Sequence, residues 1–209
     1  MIKEQRMFSQ LERQTLPQYV VVAMISVDEQ PVSPSPSRCK ESQAAGHLVF
    51  NASVVFKTRV DKQWKDLSSD EIFKGKRVAV FGLPGAFTPT CSSTHLPRYS
   101  ELADELKTAG LDDIVCVTVN DAFVCNAWLK DLNVDNIKIL PDGNTEFTKS
   151  IGALVDKSEV GFGQRSWRYS MIVNDGKVEK VFCEPDKKGD PFEVSDADTM
   201  LKYLKGKSK

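Results

Sequence analysis

Two nearly continuous apolar runs, Val78-Ala79-Val80-Phe81-Gly82-Leu83 and Ile114-Val115-Cys116-Val117-Thr118-Val119, constrain this chain more than any other feature. A strand with apolar residues on both faces must be covered on both faces, so each run reads as a buried central strand rather than half of an exposed hairpin. Between them, from about Thr90 to Thr108, the apolar positions Leu96, Tyr99, Leu102, Ala103 and Leu106 recur at steps of three and four, the period of a helix with one buried stripe, and Gly110 closes it. A helix over 121–131, a short strand at 137–140 and the turn Pro141-Asp142-Gly143-Asn144 follow. Asn174-Asp175-Gly176 between the runs 169–173 and 178–182 is a hairpin signal, and a last helix starts after Ser195 and runs to about Leu204. Strands alternating with helices, then a hairpin and a closing helix, predict an α/β sandwich around a mixed sheet.

The segment before residue 49 reads differently. Pro31-Val32-Ser33-Pro34-Ser35-Pro36-Ser37 suits neither a helix nor a central strand, so residues 1–48 are expected to be a poorly ordered extension and 49–209 the folded domain. Near residue 54 a strand at Val54–Val60 with Trp64 close by suggests a further hairpin. The longest apolar run, Tyr19–Val27, is nine residues, well short of the ~20 that span a bilayer, and no cleavage pattern follows it. Basic and acidic residues balance at 28 and 29, which gives no footprint for nucleic acid or an anionic membrane. With 41% hydrophobic residues in 209, the chain can build a core without a disulfide or metal.

Five cysteines, Cys39, Cys91, Cys116, Cys125 and Cys183, are odd in number, irregularly spaced and without a Cys-x-x-Cys pair. That usage fits a reducing, cytoplasmic setting, with organelle targeting by the extension as the alternative, and signals neither a zinc knuckle nor a dithiol. With two histidines, His47 and His95, no metal or cofactor is called for.

Cys91 stands apart. It follows a buried strand, the Pro84-Gly85 turn and Pro89, and falls in the first turn of a long helix, where unpaired N–H groups and the helix dipole favour an anion. A cysteine attacks as thiolate, so this is where a reactive one belongs. Placement alone leaves two readings, a nucleophile or a small apolar helix-start residue. The surrounding residues choose between them. Pro84-x-x-x-Thr88-x-x-Cys91 matches the peroxidatic signature of the peroxiredoxins, and Leu83 through Ser92, with Thr94-His95-Leu96-Pro97, resembles their type II, peroxiredoxin-5-like branch. Val119-Asn120-Asp121-Ala122-Phe123-Val124, Ala127-Trp128, Pro141-Asp142-Gly143 and Arg168-Tyr169-Ser170-Met171 agree in order, and the resemblance spans about residues 52–205. The segments 161–170 and 190–198 look most like the peroxiredoxin part of bacterial peroxiredoxin–glutaredoxin hybrids, whose second domain has no counterpart up to Lys209.

The resemblance implies a thioredoxin-like fold and a thiol peroxidase acting on hydrogen peroxide and alkyl hydroperoxides. Cys91 would be the nucleophile, Thr88 a hydrogen-bonding partner of thiolate and peroxide, and Arg168 the catalytic arginine, with Arg165 as its rival. Pro84, Gly85 and Thr90 would line the peroxide pocket. His95 is expected to pack or hydrogen-bond rather than act as a base. Plant relatives place a second cysteine 25 residues on, which makes Cys116 the candidate resolving residue, although mid-strand cysteines are commonly buried and inert. The default cycle uses one cysteine, recycled by glutathione and glutaredoxin or by thioredoxin, in a homodimer. The alternative from another class is a redox sensor that relays oxidation to a partner protein.

Overall fold

The computed structural model describes residues 54–207, so the expected extension at 1–48 lies outside the described residues. Nine strands are described: β1 (Val55–Val60), β2 (Gln63–Ser68), β3 (Arg77–Leu83), β4 (Asp113–Thr118), β5 (Lys138–Pro141), β6 (Leu154–Asp156), β7 (Gln164–Ser166), β8 (Tyr169–Asn174) and β9 (Lys177–Cys183). Five of them form the central sheet in the order β5-β4-β3-β8-β9. Strands β3, β4 and β5 run parallel, while β8 and β9 are antiparallel additions, so the sheet is mixed as expected. β1 and β2 pair as the predicted hairpin, with Arg59 opposite Trp64.

Side chains alternate across a strand, and that alternation divides the core in two. Ala79, Phe81, Leu83, Ile114, Cys116 and Ile172 face one layer, and Val78, Val80, Val115, Val117, Met171 and Val173 face the other. The first layer is covered by the helices after β3, by α4 (Ala122–Asp131) and by α6 (Ala197–Lys207). Covering the second are residues from β1, from α1 (Ser69–Phe73) and from α5 (Glu146–Ser150). Gly82 is required here, because a Cβ at that position would overlap the ring of buried Tyr169.

The predicted single helix over 90–108 is three pieces. A π-helical turn spans Cys91–His95, α2 covers Leu96–Glu101 and α3 covers Ala103–Thr108, with Leu102 at ψ 8° between the last two. Pro97 explains the first break. Its ring has no N–H and crowds the carbonyl four residues back, so the turn before it widens and the Leu96 N–H reaches Cys91 O, five residues earlier. The small β6–β7 ribbon and the helices α1 and α5 had no periodicity to announce them, each being three to five residues long.

Candidate active site

The loop from β3 to the π turn is braced from below. Asn120 Oδ1 accepts the Ala86 N–H at 3.0 Å and the Thr118 hydroxyl at 2.8 Å, tying the loop to the end of β4. Arg165 donates through Nη1 to Val119 O at 3.1 Å and lies 3.0 Å from where a Cβ on Gly85 would sit, so a side chain there would press on the guanidinium. Phe87 turns the chain with φ 61°, a left-handed value uncommon outside glycine, and leaves its ring half exposed. The Thr88 hydroxyl donates to Gly85 O at 2.8 Å, so its lone pairs are what it offers the pocket. Trp128 Nε1 donates to Ser92 Oγ at 2.9 Å and pins the start of the turn.

Cys91 opens that turn and is fully buried, in the same core layer as Cys116 and Cys125. One turn further on, His95 is buried as well and makes two hydrogen bonds. Its Nε2 lies 3.2 Å from Ser195 O, and its Nδ1 lies 3.0 Å from Arg168 Nη1. A carbonyl only accepts and a guanidinium only donates, so the proton sits on Nε2 and Nδ1 presents its lone pair. Burial, reinforced by the Arg168 charge, pushes the imidazole down to about 3, and the ring is neutral at physiological pH. Both nitrogens are thereby spent, which leaves His95 no capacity to act as a base.

Arg168, just before β8, is 1% exposed and carries a charge that needs compensation. Asp190 supplies it through a bidentate pair, Arg168 Nε to Oδ1 at 3.2 Å and Nη2 to Oδ2, while the Phe192 ring lies 5.4 Å from the guanidinium carbon. Asp190 belongs to the irregular segment 184–196, which is folded on Glu184. The Glu184 carboxylate, fully buried, accepts the N–H groups of Glu193, Val194 and Ser195 and the Ser195 hydroxyl at 2.8–2.9 Å. A continuous chain of polar contacts thus runs from Glu184 through Ser195, His95 and Arg168 to Asp190.

In front of the loop lies a cleft of about 630 Å³, walled by Pro84, Thr88, Pro89 and Thr90 on one side and by Phe162, Trp167 and Asp190 on the other. The structure therefore gathers Pro84, Gly85, Thr88, Thr90 and Cys91 in one loop and turn, and fastens Arg168 to that turn through His95. Arg165, the rival, braces the loop instead. Cys116 lies in mid-sheet, opposite Phe81 on β3 and Ile139 on β5, and burial raises its thiol well above the ordinary value. Asn120, Glu184 and Asp190 were not singled out from sequence, although each lies in a quoted motif or beside one. Asp142, in the Pro141-Asp142-Gly143 motif, accepts the Phe147 and Thr148 N–H groups and holds the start of α5.

A buried cysteine on a strand-to-helix turn of a thioredoxin-like sheet, with an arginine secured to the same turn, defines the class of thiol peroxidases. A family model described as Redoxin matches residues 44–201. The chain is 58% identical over 167 residues to a peroxiredoxin of Synechocystis, covering 74% of this chain and 88% of that protein. It is 61% identical over 151 residues to the hybrid peroxiredoxin hyPrx5 of Haemophilus influenzae, covering 72% of this chain and 63% of the hybrid. A solved structure of reduced Prx3 from Vibrio vulnificus, in complex with hydrogen peroxide, aligns with TM-score 0.70 and 43% identity over 76% of this chain and 97% of that one. The chain belongs to the redoxin family, in its peroxiredoxin branch, whose members are thiol-dependent peroxidases.

Proposed function

We propose that the chain reduces hydrogen peroxide and small alkyl hydroperoxides with Cys91 as the peroxidatic nucleophile. The observation that carries this reading is the attachment of Arg168, through His95, to the turn that begins with Cys91. The Cys91 thiolate attacks the terminal peroxide oxygen, and the O–O bond breaks with its electron pair on the departing oxygen. That oxygen takes a proton and leaves as water or alcohol, and Cys91 becomes a sulfenic acid. Arg168 stabilises charge moving along the O–O bond. Thr88, whose own proton is directed at Gly85 O, accepts the proton of the incoming hydroperoxide and so orients it. Pro84, Gly85 and Thr90 shape the pocket around it.

Recycling proceeds through an external thiol. A first thiol condenses with the sulfenic acid to a mixed disulfide and water, and a second releases Cys91 with formation of the external disulfide. Glutathione with glutaredoxin, or thioredoxin, fits this one-cysteine cycle, and the burial of Cys116 in mid-sheet supports it. Among the described residues Cys91, Cys116 and Cys125 form no disulfide, which suits a reducing compartment such as the cytoplasm. The exposed rings of Trp64 and Phe123, in edge contact at 5.7 Å with Arg59 over both, support a homodimer. Peroxide consumption with each reductant, for wild type and Cys91→Ser, tests the reading. Loss of turnover in Cys91→Ser is expected, and retained turnover overturns it.

A further inference from the structure

The Asp190–Arg168 pair joins unequal partners. Arg168 is 1% exposed and Asp190 is 41% exposed, so the carboxylate reaches in from the surface to meet a buried cation. Among the described residues it is the one carboxylate paired with Arg168, and neutral His95 brings no charge of its own. Gly189, at φ 99°, turns the chain just before it, and Lys157 Nζ donates to Gly189 O at 3.0 Å, so Asp190 is presented from a fixed corner. The Glu184 clasp on residues 193–195 closes the same segment from the far side.

A guanidinium has five N–H groups in a rigid plane. Two point at Asp190 and one at His95 Nδ1. The remaining two, one on each terminal nitrogen, have no protein acceptor among the described residues. A plane fixed at three points aims its last two donors in set directions.

Resting on the peroxidase reading above, we propose that Asp190 is a positioning residue, which holds the Arg168 plane so that its two uncommitted N–H groups meet the Cys91 sulfur and the peroxide. Asp190 acts on the reaction only through Arg168. A carboxylate beside a cation has two opposed effects: it fixes the cation in place, and it cancels part of its charge. If fixing dominates, removing Asp190 lets Arg168 turn towards the cleft that Asp190 borders, and Cys91 loses its cation. If cancelling dominates, removal exposes the sulfur to a fuller positive charge. The titratable groups that touch the guanidinium are Asp190 and His95, and its charge also reaches the Cys116 thiol.

The test compares Asp190→Asn, Asp190→Ala and Asp190→Glu with wild type. Two quantities are followed: kcat/KM for hydrogen peroxide, and the pH at which the Cys91 peptide becomes half-alkylated by iodoacetamide, read by mass spectrometry. Asn and Ala are expected to lower kcat/KM roughly 10- to 100-fold, as misaligned catalytic groups do, and to move the alkylation midpoint to higher pH. Glu restores most of both. A midpoint that falls or stays put, or an unchanged kcat/KM, overturns the proposal. Asn is nearly isosteric, so its arm stands alone should Ala fail to fold, with thermal unfolding reporting the fold. Cys91→Ser in the same assay separates the two levels: turnover without Cys91 refutes the peroxidase reading itself, whereas the Asp190 arms refute only the positioning.

Discussion

Arg168 Nη1 donates to His95 Nδ1 at 3.0 Å, and this bond settles the state of both side chains. It makes the histidine a neutral acceptor, and it attaches the arginine just before β8 to the turn that carries Cys91. Several expectations depend on that attachment or on the residues behind it.

Because the buried imidazole lies at about 3, against 6.5 when free, the unfolded chain binds a proton at His95 that the folded chain refuses between those values. His95 therefore destabilises the fold progressively as pH drops from 6.5 towards 3, by about 1.4 kcal/mol per pH unit at most, and has no such effect above 6.5. Chemical denaturation at a series of pH values should show a shallower acid-side loss in His95→Gln than in wild type.

Arg168→Lys keeps the charge and loses the planar fork. A lysine cannot satisfy Asp190 bidentately, donate to His95 and still offer two further aligned donors. Steady-state kinetics should show kcat/KM for hydrogen peroxide reduced about 100-fold or more, the scale of losing a preorganised hydrogen-bond donor at a transition state, with thermal stability changed far less than activity.

Glu184→Gln places an amide where a carboxylate accepts three backbone N–H groups and a hydroxyl. One end of the amide is itself a donor and meets those donors head on. A loss of about 2–3 kcal/mol is expected in urea unfolding, from buried donors left without acceptors. Peroxidase activity should fall in parallel, since Ser195 O is what the His95 ring leans on.

Cys116→Ala leaves the peroxidatic chemistry intact in the one-cysteine cycle. Turnover with glutathione and glutaredoxin, and with thioredoxin, should stay within about twofold of wild type, while stability drops by about 1 kcal/mol for the lost sulfur packing. Inactivity with thioredoxin alone would show that Cys116 resolves the sulfenic acid.

The central sheet was readable because Val78–Leu83 and Ile114–Val119 are apolar on both faces and because Asn174-Asp175-Gly176 specifies a hairpin. The loop and turn around Cys91 were readable because proline, glycine and threonine leave a local signature. Arg168 could be chosen over Arg165 only by motif, since both are charges near a strand start, and their difference lies in what each reaches across the fold. The His95–Arg168–Asp190 contacts link residues 73 and 22 positions apart, and no local periodicity encodes such pairs. The π turn was missed because Leu96, Tyr99 and Leu106 keep a helical stripe whether or not one turn is widened, although Pro97 was its sign.

In the proposed cycle, that widened turn governs what can reach the sulfur. The Cys91 sulfur is fully buried, so with the turn closed the thiol of a protein has no path to it. In the proposed cycle a bulky reductant therefore needs Cys91–His95 to open before it can touch the oxidised sulfur. Such an opening would separate the two half-reactions of that cycle in time: closed for peroxide, open for thiol.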